Sequence, residues 1–360
     1  MPAATAPGLG IVKQERQVAK SATKTKLNVG LMGLGRLGRV YARDLATRIA
    51  CTRLVAVADV DRTVVDEVTR AFEVPRGYAT PGDLIADPSV DAVVIVTPTA
   101  THGELTRAAA AAGKAIFCEK PLAITMNEAL EMQRAVQQSG VFFQLGLMRR
   151  FDRGYAAAKE RLGAGEIGDA VVFKSTSRDP FPPAVEYANP KSSGGLLIDM
   201  GIHDFDLARW YMGEVATVQT IGGVLAYPEL GAVGDIDNAV ASLVFASGRL
   251  GVVDLTRNGI YGYDITTELL GTRGTLRIGY LRETPLLVMT KSGVAHDTVP
   301  YFMERFRDAY TAQLENFAQN VLHDRKPPIT EDDGVEVLRI AVAATQGYKT
   351  GHPVTVSSIS

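Results

Sequence analysis

The chain has 360 residues, 46% hydrophobic and 22% charged, with a formal net charge of −2. That length suffices for two domains with separate cores, and so neutral a balance gives no electrostatic case for nucleic acid or an anionic membrane, leaving small molecules as the expected partners. Cys51 and Cys118 are the only cysteines and no apolar run approaches the ~18 residues of a membrane span, so the expectation is a protein of the reducing cytoplasm without a disulfide framework.

Residues 1–26 are polar and basic, with Glu15 as the only acid, and read as a flexible extension. From Leu27 the stretch LNVGLMGLGRLGRVYARDLATRIACTRLVAVADVD reads as strand, glycine turn, helix and strand. Gly33, Gly35 and Gly38 fit G-x-G-x-x-G in the context that gives the motif meaning. The first glycine permits the tight turn, the second lets the backbone approach a pyrophosphate, and the third lets helix and strand pack closely. The phosphates would rest on the helix N-terminus, at Arg36 and Leu37. Asp59 follows the apolar LVAVA about 20 residues later, where a carboxylate can accept hydrogen bonds from an adenosine ribose. Its charge would repel a 2′-phosphate, so NAD is expected over NADP, with Arg62 nearby to soften the preference. A purely structural glycine turn is the alternative, and the spacing of the acid argues against it.

Strand and helix go on alternating through DAVVIVTPTATHGELTRAAAAAG, KAIFCEKP, NEALEMQRAVQQSG and VFFQLG, which implies a doubly wound parallel sheet over about 27–147. Such sheets bind ligands beyond the C-terminal ends of their strands. Thr97, Pro98, Thr99 and His102 lie at one such end, Glu119, Lys120 and Pro121 at the next, and these are the further candidates for the cofactor crevice. Any single lysine is ordinarily a solvated surface group, but its place at a strand end aims Lys120 at a nicotinamide.

Residues 148–360 form the expected second domain. A helix near 151–163 leads to the strand AVVFKSTSRD and then to PFPPAVEYANPKSSGG, a loop long enough to cover a substrate, with Asp179 or Tyr187 reaching in. In GGLLIDMGIHDFDLARW, offsets of four and seven put Asp199, His203 and Asp206 on one helical stripe that Trp210 continues. Two readings stand: a core histidine held by Asp199 with Asp206 in solvent, or a proton-transfer pair in which the carboxylate orients the imidazole. Further strands in VATVQTIGGVLA, NAVASLVFAS, RLGVVDLTRN, ITTELLGT and GTLRIGY indicate an open, mostly antiparallel sheet, and two late helices complete the domain. The five histidines are scattered and neither cysteine has metal-ligand spacing, so no metal is expected.

From about residue 27 to the end, GLGRLG, TPTATH, CEKPLA, GLMRRFD, SRDPFPP, SSGGLLIDMGIHDFDLARW, GDIDNA, YGYDI and FMERF resemble the glucose-fructose oxidoreductase / inositol dehydrogenase / rhizopine catabolism family (Gfo/Idh/MocA), in particular its inositol 2-dehydrogenase branch. The resemblance implies an N-terminal Rossmann dinucleotide-binding domain, a C-terminal α+β domain, and a catalytic group of Lys120, Asp199 and His203. The implied reaction is oxidation of a secondary alcohol on a cyclic polyol, myo-inositol or scyllo-inositol, with hydride passing to C4 of NAD and the proton to His203. Asp199 would orient the imidazole and Lys120 would stabilise the developing alkoxide. Tyr263 matches a polyol contact, the bond before Pro121 is often cis in such proteins, and the open sheet face commonly builds a homo-oligomer, often a tetramer. Ile198 and Gly201 depart from a pattern that often has Arg and Thr there. An aldose or other sugar dehydrogenase of the same family, a lyase or glycosidase with retained NAD, and a catalytically silent NAD-binding regulator are the competing readings.

Overall fold

The computed structural model describes residues 25–360, so the expected extension lies outside the described residues apart from Thr25 and Lys26. Six strands, β1 (Leu27–Met32), β2 (Thr52–Ala58), β3 (Arg76–Tyr78), β4 (Ala92–Ile95), β5 (Ala115–Glu119) and β6 (Phe143–Gly146), form one sheet in the order β3-β2-β1-β4-β5-β6, every pair parallel. Strands covered on both faces need near-continuous apolar runs. Accordingly β4 is buried at every position and β1 at all but Asn28. The strand order reverses between β1 and β4, which opens a crevice at their C-terminal ends, the usual ligand site of such sheets.

The second sheet contains β7 (Ala170–Arg178), β8 (Val215–Gly223), β9 (Asn238–Phe245), β10 (Leu250–Thr256), β11 (Asp264–Gly271) and β12 (Thr275–Ile278), while β13 (Val288–Thr290) and β14 (Gly293–Ala295) make a separate hairpin. With the short β15 (Val354–Thr355) the order is β12-β11-β7-β10-β9-β8-β15. All its pairs are antiparallel except β7 with β10. That exception brings two strand C-termini to the same edge, where Arg178 pairs with Thr256 and the Asp179 amide donates to the Thr256 carbonyl at 2.9 Å. The residues that follow, Asp179 and Arg257, are thereby set side by side. Alternation along β9 buries every second residue and leaves the other face uncovered. On that face Ile221 stands opposite Val240 and Leu250 opposite Val244, all exposed.

Two features differ from the sequence expectation. The late helix Arg307–Leu322 packs on β1 and β5 of the first sheet, because Tyr310 and Phe317 meet Tyr41, Phe117 and Phe142 ring to ring. The single helix expected around Asp199 is two: Leu196–Asp199, then Ile202–Met212. The break falls at Met200 and Gly201, where a Cβ on residue 201 would stand 2.6 Å from the Leu197 carbonyl oxygen. Only glycine lets the chain approach itself so closely.

Candidate active site

The glycine turn sits between β1 and the helix Arg36–Arg43, and its three glycines are needed for three different reasons. Gly33 adopts φ +91°, and a Cβ there would lie 2.7 Å from the Val96 carbonyl oxygen. A Cβ on Gly38 would lie 2.1 Å from the Gly33 carbonyl oxygen. Around Gly35, by contrast, nothing comes within 4 Å of the added carbon, so the chain itself does not require glycine there. A ligand approaching the backbone there would, and no side chain of the capping residue Gly35 occupies the helix N-terminus. The turn therefore fits a dinucleotide pyrophosphate. Asp59 is anchored beside it, with Oδ2 accepting from the Leu34 amide at 2.6 Å and Oδ1 from the Asp61 amide at 3.0 Å. The Arg36 guanidinium lies over the Tyr301 and Phe302 rings, at 5.3 and 5.5 Å from their centroids, and so touches the second domain.

Thr97, Pro98 and Thr99 follow β4 at the crevice, with the Thr97 and Thr101 hydroxyls 2.7 Å apart. His102 differs from its expected role. It is buried, with Nδ1 2.9 Å from the Pro121 carbonyl oxygen and Nε2 3.1 Å from that of Thr97. Burial lowers its pKa, so the neutral ring has one N–H and donates to one of these two carbonyl oxygens, which follow β4 and β5. Glu119 also turns inward: its carboxylate takes hydrogen bonds from the Tyr41 hydroxyl and, at 3.3 Å, from Gln313 Nε2. Burial raises its pKa, and its other oxygen accepts the Lys120 amide at 3.1 Å. Both side chains fix the segment that carries Lys120, whose bond to Pro121 is cis.

Across the crevice Lys120 Nζ donates to the Asp199 carbonyl oxygen at 2.9 Å and to Oδ1 at 3.2 Å. The Tyr187 hydroxyl donates to the same Oδ1 at 2.9 Å, and Arg257 Nη2 stands 3.6 Å from Oδ2. Burial opposes charge on Asp199, yet Lys120, Arg257 and Tyr187 outweigh it and hold the carboxyl below its ordinary pKa. Asp179 faces the opposite balance: burial and the neighbouring Asp199 charge push it up to about 7. Tyr263 is buried and packs edge-on against Tyr301 and Phe306, near enough to Asp179 that burial and that charge raise its pKa. Asp179, Tyr187, Asp199 and Tyr263 therefore form one interacting cluster with Lys120.

His203 is 8% exposed, and its Nδ1 has no hydrogen-bond partner among the described residues. The expected bond from Asp199 to the imidazole is absent, because the helix break turns the carboxylate toward Lys120 and Tyr187. Burial, then the Lys120 and Arg149 charges, push the His203 pKa well below 6.5, so the ring is neutral at neutral pH. Asp206 is not in solvent either: it is buried and takes Arg150 in a two-pronged ion pair. Sequence reading gave no role to two buried arginines, Arg149, which binds Asp204 at 2.7 Å behind His203, and Arg257. The usable signal was charge placed against strands: Arg149 in GLMRRFD and Arg257 directly after β10. Among the described residues no group of three or more His, Cys, Asp or Glu could hold a metal, and no helix is long and apolar enough to cross a membrane.

Where a Rossmann crevice is faced by a lysine–carboxylate salt bridge and a neutral histidine from a helix of the second domain, the pair of domains is that of a nucleotide-dependent oxidoreductase acting on CH–OH groups. The description "Oxidoreductase family, NAD-binding Rossmann fold" matches residues 27–147, and "Oxidoreductase family, C-terminal alpha/beta domain" matches residues 159–356. The chain belongs to this Gfo/Idh/MocA oxidoreductase family. It is 38% identical over 330 residues to scyllo-inositol 2-dehydrogenase (NAD(+)) of Bacillus subtilis, covering 91% of this chain and 96% of that one. Over 335 residues it is 38% identical to myo-inositol 2-dehydrogenase of Thermotoga maritima, covering 92% and 99%. The crystal structure of scyllo-inositol dehydrogenase from Lactobacillus casei with bound NAD(H) and scyllo-inositol is similar at a TM-score of 0.88 and 32% identity, covering 92% of this chain and 99% of that one.

Proposed function

We propose that the chain oxidises a secondary alcohol of a cyclic polyol, myo-inositol or scyllo-inositol, to the corresponding inosose with NAD. The observation that carries this reading is the contact of Lys120 with Asp199 across the crevice, beside a buried, neutral His203. The two inositol dehydrogenases at 38% identity support the substrate class.

NAD supplies the hydride acceptor, at nicotinamide C4. Arg36, Leu37 and the three glycines hold its pyrophosphate on helix amides, Asp59 its adenosine ribose, and Thr97, Pro98 and Thr99 its nicotinamide end. NAD is preferred over NADP, because the Asp59 carboxylate repels a 2′-phosphate. The Lys120 ammonium donates to the reacting oxygen and favours its developing negative charge. His203 accepts the hydroxyl proton, which only the neutral ring can do. Asp199 aims Lys120 rather than the imidazole, while Asp179, Tyr187 and Tyr263 hold the remaining ring hydroxyls. The chain works as a homo-oligomer, a tetramer, because the paired apolar residues Ile221, Val240, Val244 and Leu250 on the open sheet face need a cover. With both cysteines free, it suits the reducing cytoplasm.

The test is NADH formation from myo-inositol, scyllo-inositol, chiro-inositol, glucose, galactose and xylose, each with NAD and with NADP. An inositol with NAD is expected to turn over fastest. Turnover confined to an aldose would transfer the site to a sugar dehydrogenase, and no turnover with any of them would refute the reading. Light scattering checks the tetramer.

A further inference from the structure

Arg257 is the least exposed cation near the site, 1% exposed at the end of β10, and it spans two carboxylates. Its Nη1 donates to Asp235 Oδ2 at 2.9 Å. The other oxygen of Asp235 accepts the Leu196 amide at 2.9 Å, the first amide of the short helix that ends in Asp199. The second guanidinium nitrogen, Nη2, points at Asp199 Oδ2 from 3.6 Å and has no hydrogen-bond partner among the described residues. A buried guanidinium nitrogen without a partner is costly, so it persists where the surrounding structure holds it for a purpose or a partner arrives. Here the nearest acceptor is an oxygen that Lys120 and Tyr187 leave free, since both bind Oδ1.

We propose that Arg257 is a positioning residue: its planar fork ties Asp199 to Asp235 and keeps the Asp199 carboxylate charged and aimed at Lys120. This rests on the oxidoreductase reading above. Lys120 spends two of its three ammonium protons on Asp199, and the third is left for an alcohol oxygen. Without a second cation, Lys120 alone would offset Asp199 beside the carboxyls of Asp179 and Asp235, and Asp199 would take up a proton or swing away. The guanidinium can prevent both, because its two nitrogens bind two carboxylates at once in a fixed plane, which a single ammonium cannot reproduce. The groups facing Asp199 are Lys120 after β5, Tyr187 from the short helix Val185–Ala188, Asp179 after β7, Asp235 before β9, Arg257 after β10 and Tyr301.

The test compares wild type with Arg257→Met and Arg257→Lys by two readouts. The first is activity-free: carboxyl ¹³C titration of aspartate-labelled protein, with Asp199→Asn assigning the Asp199 signal. Asp199 is expected to titrate about one to three pH units higher in Arg257→Met, and less far in Arg257→Lys, which keeps one cation for Asp235. The second is the pH dependence of inositol oxidation: kcat should fall about tenfold or more in Arg257→Met with its acid limb moved up and NAD affinity unchanged, as expected when a charge-assisted hydrogen bond is lost. If Arg257→Met fails to fold, the same comparison is made on Arg257→Lys and on Asp235→Asn. An unchanged Asp199 titration in any folded variant overturns the proposal whatever the enzyme oxidises. A wild type that oxidises no polyol, with the titration shifted as expected, overturns only the functional reading.

Discussion

The first sheet contributes backbone to the site, namely the N-terminus of Arg36–Arg43 without a side-chain cap, a turn that only Gly33 and Gly38 permit, and strand ends beside the buried His102. The second domain contributes side chains, with Asp179, Tyr187, Asp199, His203 and Arg257 coming from five separate segments and all but His203 linked by charge or hydrogen bonds. The first wall is rigid because steric exclusion fixes it. The second depends on a balance of charges, which lowers Asp199 and raises Asp179 within one cluster. Substitutions on the first wall should therefore act on stability and cofactor affinity, and those at the second on rate and pH dependence.

Lys120 belongs to both walls and should show a large effect. Lys120→Ala is expected to lower polyol oxidation about 10²- to 10³-fold, the usual cost of one donor to a developing oxyanion, with NAD binding retained in a fluorescence titration. Loss of NAD binding, with turnover preserved at saturating cofactor, would move Lys120 wholly to the cofactor side.

Next is a contrast within the glycine turn. Gly38→Ala puts a carbon 2.1 Å from the Gly33 carbonyl oxygen and should destabilise the fold by about 1–3 kcal/mol in a denaturant titration. Gly35→Ala meets nothing within 4 Å and should leave the denaturation midpoint unchanged while weakening NAD binding. Equal melting losses in both variants would remove the distinction between a packing glycine and a ligand glycine.

Asp179 sharpens the second wall. With its carboxyl pushed up to about 7, it is protonated below that pH and charged above it, so an inflection of substrate affinity near neutrality should disappear in Asp179→Asn. A profile of kcat/KM against pH that keeps the inflection in the variant would assign it elsewhere. The smallest effect is expected at Asp59, where Asp59→Ala should relax the preference for NAD over NADP, measured as the ratio of their kcat/KM values.

The same division decided what the sequence revealed. Backbone chemistry leaves local signs: three glycines at fixed spacing, an acid after the second strand, and EKP where alternating strands and helices put it at a strand end. The second wall left weaker ones. An offset of four placed Asp199 beside His203 on an unbroken helix, but the helix breaks at Met200 and Gly201, where a Cβ on residue 201 would clash with the Leu197 carbonyl. His102 and Glu119 sit at strand ends as expected, yet face inward because their partners lie elsewhere in the chain, in Pro121 and in Gln313. A parallel strand buried on both faces has no alternation from which to tell the two directions. A charge after β10 was legible at Arg257, but its place beside Asp179 needed the parallel pairing of β7 with β10, which no local pattern announces.

The most direct test of the mechanism is single-turnover NADH formation from inositol across pH in wild type and His203→Ala. Burial and the Lys120 and Arg149 charges hold the His203 pKa well below 6.5, so the group loses its proton early as pH rises and the neutral base is already present near pH 7. Oxidation by wild type should therefore rise with pH through an inflection below 6.5. His203→Ala should lack it and be slower by about 10²- to 10⁴-fold, the range for losing a positioned base. A folded His203→Ala with the same inflection and normal rate would instead make His203 a packing residue and contradict the mechanism.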